Sequence, residues 1–87
     1  MGIEALRPFN DVVDITVFTS DINLITTYGS QAMYVQVINA GSGTFSFVTG
    51  KGNTRTLTVA TGDEIGPLAI KKILLATNVT KLRVYFQ

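Results

Sequence analysis

The sequence predicts a small all-β protein, an antiparallel β-sandwich or barrel of jelly-roll-like build. Three observations carry that expectation. Val, Ile and Thr make up about a third of the residues, and such β-branched side chains suit a pleated surface better than a helix. Apolar and polar residues alternate with a period of two in several short runs, and no window shows a convincing 3.6-residue period. Gly-rich breaks separate the runs at hairpin-sized spacing.

Taken in order, residues 1–10 contain Arg7-Pro8 and read as an extended arm, followed by one β domain over 11–87. In the first strand, Val13, Ile15 and Val17 share a face opposite Asp14 and Thr16. From Ala32 to Asn39, Met33, Val35 and Val37 alternate with Tyr34, Gln36 and Ile38. Phe45 and Phe47 alternate with Thr44 and Ser46, and Leu57 and Val59 with Thr56 and Thr58. At the end of the chain Leu82, Val84 and Phe86 alternate with Lys81, Arg83 and Tyr85.

The turns are expected at Asn39–Gly43, read as a hairpin, at Gly50-Lys51-Gly52-Asn53, and at Thr61-Gly62-Asp63-Glu64. Glycine permits the positive φ angles that such turns need. Gly66-Pro67 then interrupts the pattern. The run Ala69–Ala76 is open between helix and strand on composition, and its eight residues between turn signals favour a strand.

An 87-residue chain has a marginal core of its own, and small domains usually add disulfides, a metal or partner subunits. With no Cys and no His, disulfides and thiolate or imidazole metal sites are excluded, which leaves oligomerisation. Charged residues are only 15% of the chain, against about 25% in an ordinary soluble domain. Part of the surface is therefore expected to be buried against other subunits. The acids Glu4, Asp11, Asp14 and Asp21 fall early and six of the seven basic residues fall late. They can pair within one chain or between neighbours.

No feature reads as an export signal or a membrane span, so the chain is expected to act without export and without a membrane. Chemistry is equally sparse. The triads that depend on His or Cys are unavailable. Asp63 and Glu64 are neighbours in a turn and point apart. Asp11, Asp14 and Asp21 lack the spacing of a calcium loop. The glycines near 41–43 and 50–52 lack the following helix of a phosphate loop, and Asn78-Val79-Thr80 is a sequon without an export context. Lys71, Lys72, Lys81 and Arg83 offer a possible basic patch, with Tyr34, Phe45, Phe47, Tyr85 and Phe86 as stacking rings. Rings in alternating strands more often serve packing, so nucleic-acid binding is not expected. The chain reads as a non-enzyme without catalytic residues, cofactor or metal.

A set of segments also carries a resemblance: Ala32-Met33-Tyr34-Val35, Thr56-Leu57-Thr58-Val59, Thr61–Leu68 with Gly66-Pro67, Ile70–Thr77, and Val84-Tyr85-Phe86. In these the chain, over about residues 12–87, resembles small tailed-phage virion proteins of the spike-base or head-decoration type. Two positions depart from their pattern: Thr61 stands where Ala is frequent, and Leu75 is inserted before Ala76. The resemblance implies a homo-oligomer, trimer or pentamer, seated on a major capsid protein or another virion protein. It implies a virion location after assembly in the host cytoplasm. Apart from the resemblance, which does not cover the arm, interface roles are expected for Arg7 and Phe9 in the arm, and for Tyr85 and Phe86 in an intersubunit strand. Two alternatives share the composition: a carbohydrate- or receptor-binding β-module using Tyr28, Tyr34 or Tyr85, and a tail or baseplate subunit.

Overall fold

The structure is a computed structural model that describes residues 11–86. Among these residues the elements run β1 (Asp11–Ile15), β2 (Ile22–Asn23), α1 (Leu24–Tyr28), β3 (Ala32–Asn39), β4 (Thr44–Thr49), β5 (Thr54–Thr58), β6 (Glu64–Ile65), β7 (Ile70–Ile73) and β8 (Lys81–Phe86). The strands pair antiparallel as β1·β8, β2·β7, β3·β6 and β4·β5. That is the pairing of one long hairpin whose tip is β4–β5. Rolling such a hairpin adds the pairs β3·β8 and β4·β7. The result is two four-stranded halves, β1-β8-β3-β6 and β2-β7-β4-β5, joined by the single bridge Ala32↔Ile70. This is the jelly-roll arrangement of an eight-stranded sandwich.

The alternation predicts most of what faces inward. One buried cluster takes Val35, Val37, Leu82 and Val84 from the first half and Phe45, Phe47, Ile70 and Ile73 from the second. The rings of Phe45 and Phe47 lie 4.7 Å apart, and burying each stabilises the fold by about 1.5–3 kcal/mol. Two expected inward residues stay outside. Val17 lies beyond the end of β1 and is 63% exposed, and Leu57 is 38% exposed. Every residue of β5 is exposed. It is the last strand of its half, and its inner face runs past the cover of the opposite half.

The Asn39–Gly43 turn is not a hairpin. β3 and β4 belong to different halves and do not pair, so this loop is a corner between sheets. A corner and a hairpin need the same few Gly-rich residues, and spacing alone does not separate them. Gly41 has φ +57°, and a Cβ there would come within 2.7 Å of Thr80 Oγ1 and 2.9 Å of the Asn78 carbonyl. The Gly50–Asn53 turn is a hairpin, closing β4 on β5. The run from Ala69 is a strand only as far as Ile73.

Past Ile73 the chain leaves the ladder but still satisfies β4. Leu74 N–H donates to the Ser46 carbonyl at 2.9 Å. The inserted Leu75 is 56% exposed, and its N–H donates to Asp21 Oδ1 at 2.8 Å. Thr77 Oγ1 then accepts from Ser46 N–H at 3.0 Å and donates to the Ser46 carbonyl at 2.8 Å, with both residues buried. A side-chain hydroxyl thus replaces a ladder partner where the strand is interrupted. The one-turn helix α1 has a local cause too. Asn23 Oδ1 accepts from the Ile25 and Thr26 N–H groups, and Gly29 at φ +91° ends it.

Candidate interaction surface

The outer face of the first half carries an ordered polar row. Asp14, Arg83, Gln36 and Glu64 sit in register across β1, β8, β3 and β6. Arg83 grips Asp14 with two bonds, Nε to Oδ1 at 2.8 Å and an Nη to Oδ2 at 3.1 Å. Lys81 Nζ lies 3.5 Å from the same carboxylate. The Arg83 guanidinium first, with Lys81 behind it, holds the Asp14 carboxyl below its ordinary pKa. Early acid and late base therefore meet within one chain at this place.

One step along the strands, Tyr34 and Tyr85 form a second row, with their rings 5.5 Å apart and edge to face. Tyr85 Oη donates to Gln36 Oε1 at 3.2 Å. Tyr34 Oη donates to Glu64 Oε1. Although it lies on the outer side of β3, Tyr34 is only 1% exposed and is not part of the central core. The chain turning through Gly66 and Leu68 lies over it: Leu68 N–H donates to the Met33 carbonyl at 3.1 Å, and a Cβ on Gly66 would meet the Tyr34 ring at 3.0 Å. Burial first, and the Glu64 carboxylate second, push the Tyr34 hydroxyl up to about 12.

The predicted site residues separate on this frame. Arg7 and Phe9, with the whole arm, lie outside the described residues. Tyr85 is half-buried on the outer face. Phe86 is 2% exposed, belongs to the core cluster, and packs its ring 5.1 Å from that of Tyr28. Tyr34 is not available as an exposed stacking ring for a sugar. Phe45 and Phe47 are interior, so the aromatic platform considered for nucleic acid is not on the surface. The four basic residues do not form one patch either. Lys71 and Lys72 lie on β7, while Lys81 and Arg83 lie on β8 and face Asp14. Asp63 Oδ2 accepts from Ala60 N–H at 2.8 Å, and Glu64 from Tyr34; the two carboxyls serve different local bonds. Among the described residues no group of three or more His, Cys, Asp or Glu comes together.

What the surface does offer includes apolar side chains at two grooves. Val17 and Tyr28 border one groove with Asp14, Ser20 and Asp21, and Ile25 is a further exposed residue of α1. The second groove, about 570 Å³, is bounded by Gln31, Thr49, Gly50, Lys51, Arg55, Leu68 and Ala69. It runs beside the β4–β5 hairpin, where β5 ends the sheet. Sequence reasoning did not find this groove. Its one sign was the Thr-Arg-Thr-Leu-Thr run of β5, too polar for a strand covered on either face.

No family model and no curated protein matches the sequence. The chain is similar to a solved structure, a chain in the capsid of a native GTA (gene transfer agent) particle, computed with C5 symmetry. The two chains superpose with a TM-score of 0.60 and 16% sequence identity, over 90% of this chain and 83% of that one. At that identity the likeness is one of fold.

Proposed function

We propose that this chain is a structural subunit of a virion or virion-like particle, a capsid decoration, cement or spike-base protein that works by symmetric self-association and not by catalysis. The observation that carries this reading is the superposition of nine-tenths of the chain on a chain of a solved capsid. Two features support it. The polar side chains of the outer sheet are bonded to one another, as in Asp14–Arg83 and Tyr34–Glu64. Among the described residues seven large apolar side chains remain exposed, on a chain with few charges, which suits burial between subunits.

In this reading the sandwich is a rigid block. Its Thr-rich and apolar edges pack about a symmetry axis, as a trimer or pentamer. The arm, with Arg7 and Phe9, and the β8 end, with Tyr85, lie at contacts with neighbours or with the shell beneath, while Phe86 packs into the core. The test is rebinding. Purified chain is added to particles produced without it, and the mixture is sedimented. Saturable recovery of the chain with the particles is expected. Recovery that never exceeds that of an unrelated protein of equal size refutes the reading.

A further inference from the structure

The basic residues of the described chain fall into two groups. Lys81 and Arg83 are both engaged by Asp14. Lys51, Arg55 and Lys71 have no ion pair among the described residues, and they stand together around the β4–β5 turn. Lys51 and Arg55 border the groove of about 570 Å³ with the apolar Leu68 and Ala69, and among the described residues no carboxyl lines it. Lys71 Nζ is close by, 3.7 Å from the place a Cβ on Gly52 would take. Like charges held together repel, and a partner bearing carboxylates relieves that repulsion.

The same end of the sandwich presents an open backbone edge. Val59 N–H donates to the Gly43 carbonyl, and Thr49 N–H to the Asn53 carbonyl, which fixes the alternation along β5. Arg55 and Leu57 bond β4, while Thr54, Thr56 and Thr58 aim their N–H and C=O groups away from the sheet. An Arg55 Nη donates to the Thr54 carbonyl at 3.0 Å, so the guanidinium sits at the edge itself. The remaining outward groups have no partner among the described residues. All of β5 is exposed, and it holds neither proline nor an acidic residue. Alternating free N–H and C=O groups are matched by another peptide backbone. A phosphate backbone brings acceptors only and leaves the Thr56 and Thr58 carbonyls without donors.

We infer that the edge of β5 and the basic groove beside it take up an extended acidic segment of another protein, which adds to the sheet as an antiparallel strand. Arg55 and Leu57 lie across the ladder from Phe47 and Phe45 and share their face. The incoming strand therefore carries an acid opposite Arg55 and an apolar residue opposite Leu57, two positions apart. A further acid beyond the first points toward Lys51 and the turn. On the other face Thr54, Thr56 and Thr58 suit threonine as cross-strand neighbours. The inference goes beyond the proposed function, since it names a partner other than a copy of this chain and does not depend on the particle.

The experiment titrates the isotope-labelled full-length chain with the capped peptide Thr-Val-Thr-Glu-Thr-Glu and follows its amide signals by NMR. Saturable shifts are expected at Thr54, Thr56, Thr58 and Gly50–Asn53, with slowed exchange of the Thr56 amide. The same peptide with lysine for glutamate should give no saturable shifts. Methylating the peptide's threonine nitrogens keeps the charge and removes the donors that face β5, and should weaken binding about tenfold or more. Arg55→Glu, an exposed change whose fold is checked by circular dichroism, should weaken it by about as much. No saturable shift at about 5 mM acidic peptide overturns the inference, as does equal binding of the lysine or methylated peptide. A short oligothymidylate that binds the same residues more tightly than the peptide makes the surface a phosphate site and also overturns it. Shifts at Thr54, Thr56 and Thr58 that follow dilution of the chain alone, and that the peptide does not displace, assign the edge to a second copy with the same consequence. The sedimentation assay is independent, so its failure with peptide binding retained removes the particle reading alone.

Discussion

Thr77 closes the run Ile70–Thr77, and the structure gives its hydroxyl a single physical task. Its hydroxyl is the acceptor for the buried Ser46 N–H and a donor to the Ser46 carbonyl. Thr77→Val keeps the shape and deletes the oxygen. The Ser46 N–H then has no acceptor, which costs about 1–3 kcal/mol, and one net hydrogen bond to the carbonyl is lost, about 1 kcal/mol. The carbonyl itself stays satisfied by Leu74 N–H. The sum is about 2–4 kcal/mol, a fall in Tm of roughly 10–25 °C for a domain of this size. Thr77→Ser keeps both bonds and loses one methyl, about 0.8 kcal/mol. The assay is thermal and urea unfolding of both variants beside the wild type, followed by two spectroscopic probes. A valine variant as stable as the serine variant would refute the reasoning, because the hydroxyl would then carry no structural task.

Three further outcomes are expected. Phe86→Ala should destabilise the chain by about 3–5 kcal/mol, since its ring is in the chain's own core; an unchanged melting curve with weakened association would instead make Phe86 an interface side chain. The Tyr34 hydroxyl, raised to about 12 in the fold from about 10, gives stability that is complete below pH ~10 and lost as pH rises toward ~12. Tyr34→Phe should remove that part of the alkaline decline, and a wild type and variant with parallel stability profiles over this range would contradict it. Asp14→Asn should abolish the part of the acid-side decline that follows from the lowered Asp14 pKa: stability present above the ordinary carboxylate range and lost as pH falls through the folded value. Identical acid unfolding curves for the variant and the wild type would show that the Arg83 contact does not persist in solution.

How far the sequence speaks for itself differs along the chain. Phe45 and Phe47, and Leu82, Val84 and Phe86, alternate and are buried because each strand has the opposite sheet over it. Leu57 alternates just as well and is exposed, because β5 is the last strand of its half; position in the sheet is not written in a local period. Tyr34 is the reverse case, buried on the outer side because distant residues 66–68 fold over it. Asn39–Gly43 has the composition of a hairpin and acts as a corner. The helical turn Leu24–Tyr28 is too short to show a period, though Asn23 and Gly29 mark its ends. Of the candidate contact residues, Tyr85 and Phe86 are adjacent in sequence and divide between outer face and core, as strand alternation requires. The groove beside Arg55 depends on which strand ends the sheet and was not legible from the sequence.

The central claim is tested most directly by quantitative mass spectrometry of particles purified from cells that produce this chain, counting its copies against the major shell protein. The account predicts a fixed copy number, constant between preparations and compatible with trimers or pentamers on symmetry axes. Particles that lack the chain, or carry it only in variable traces, would contradict it.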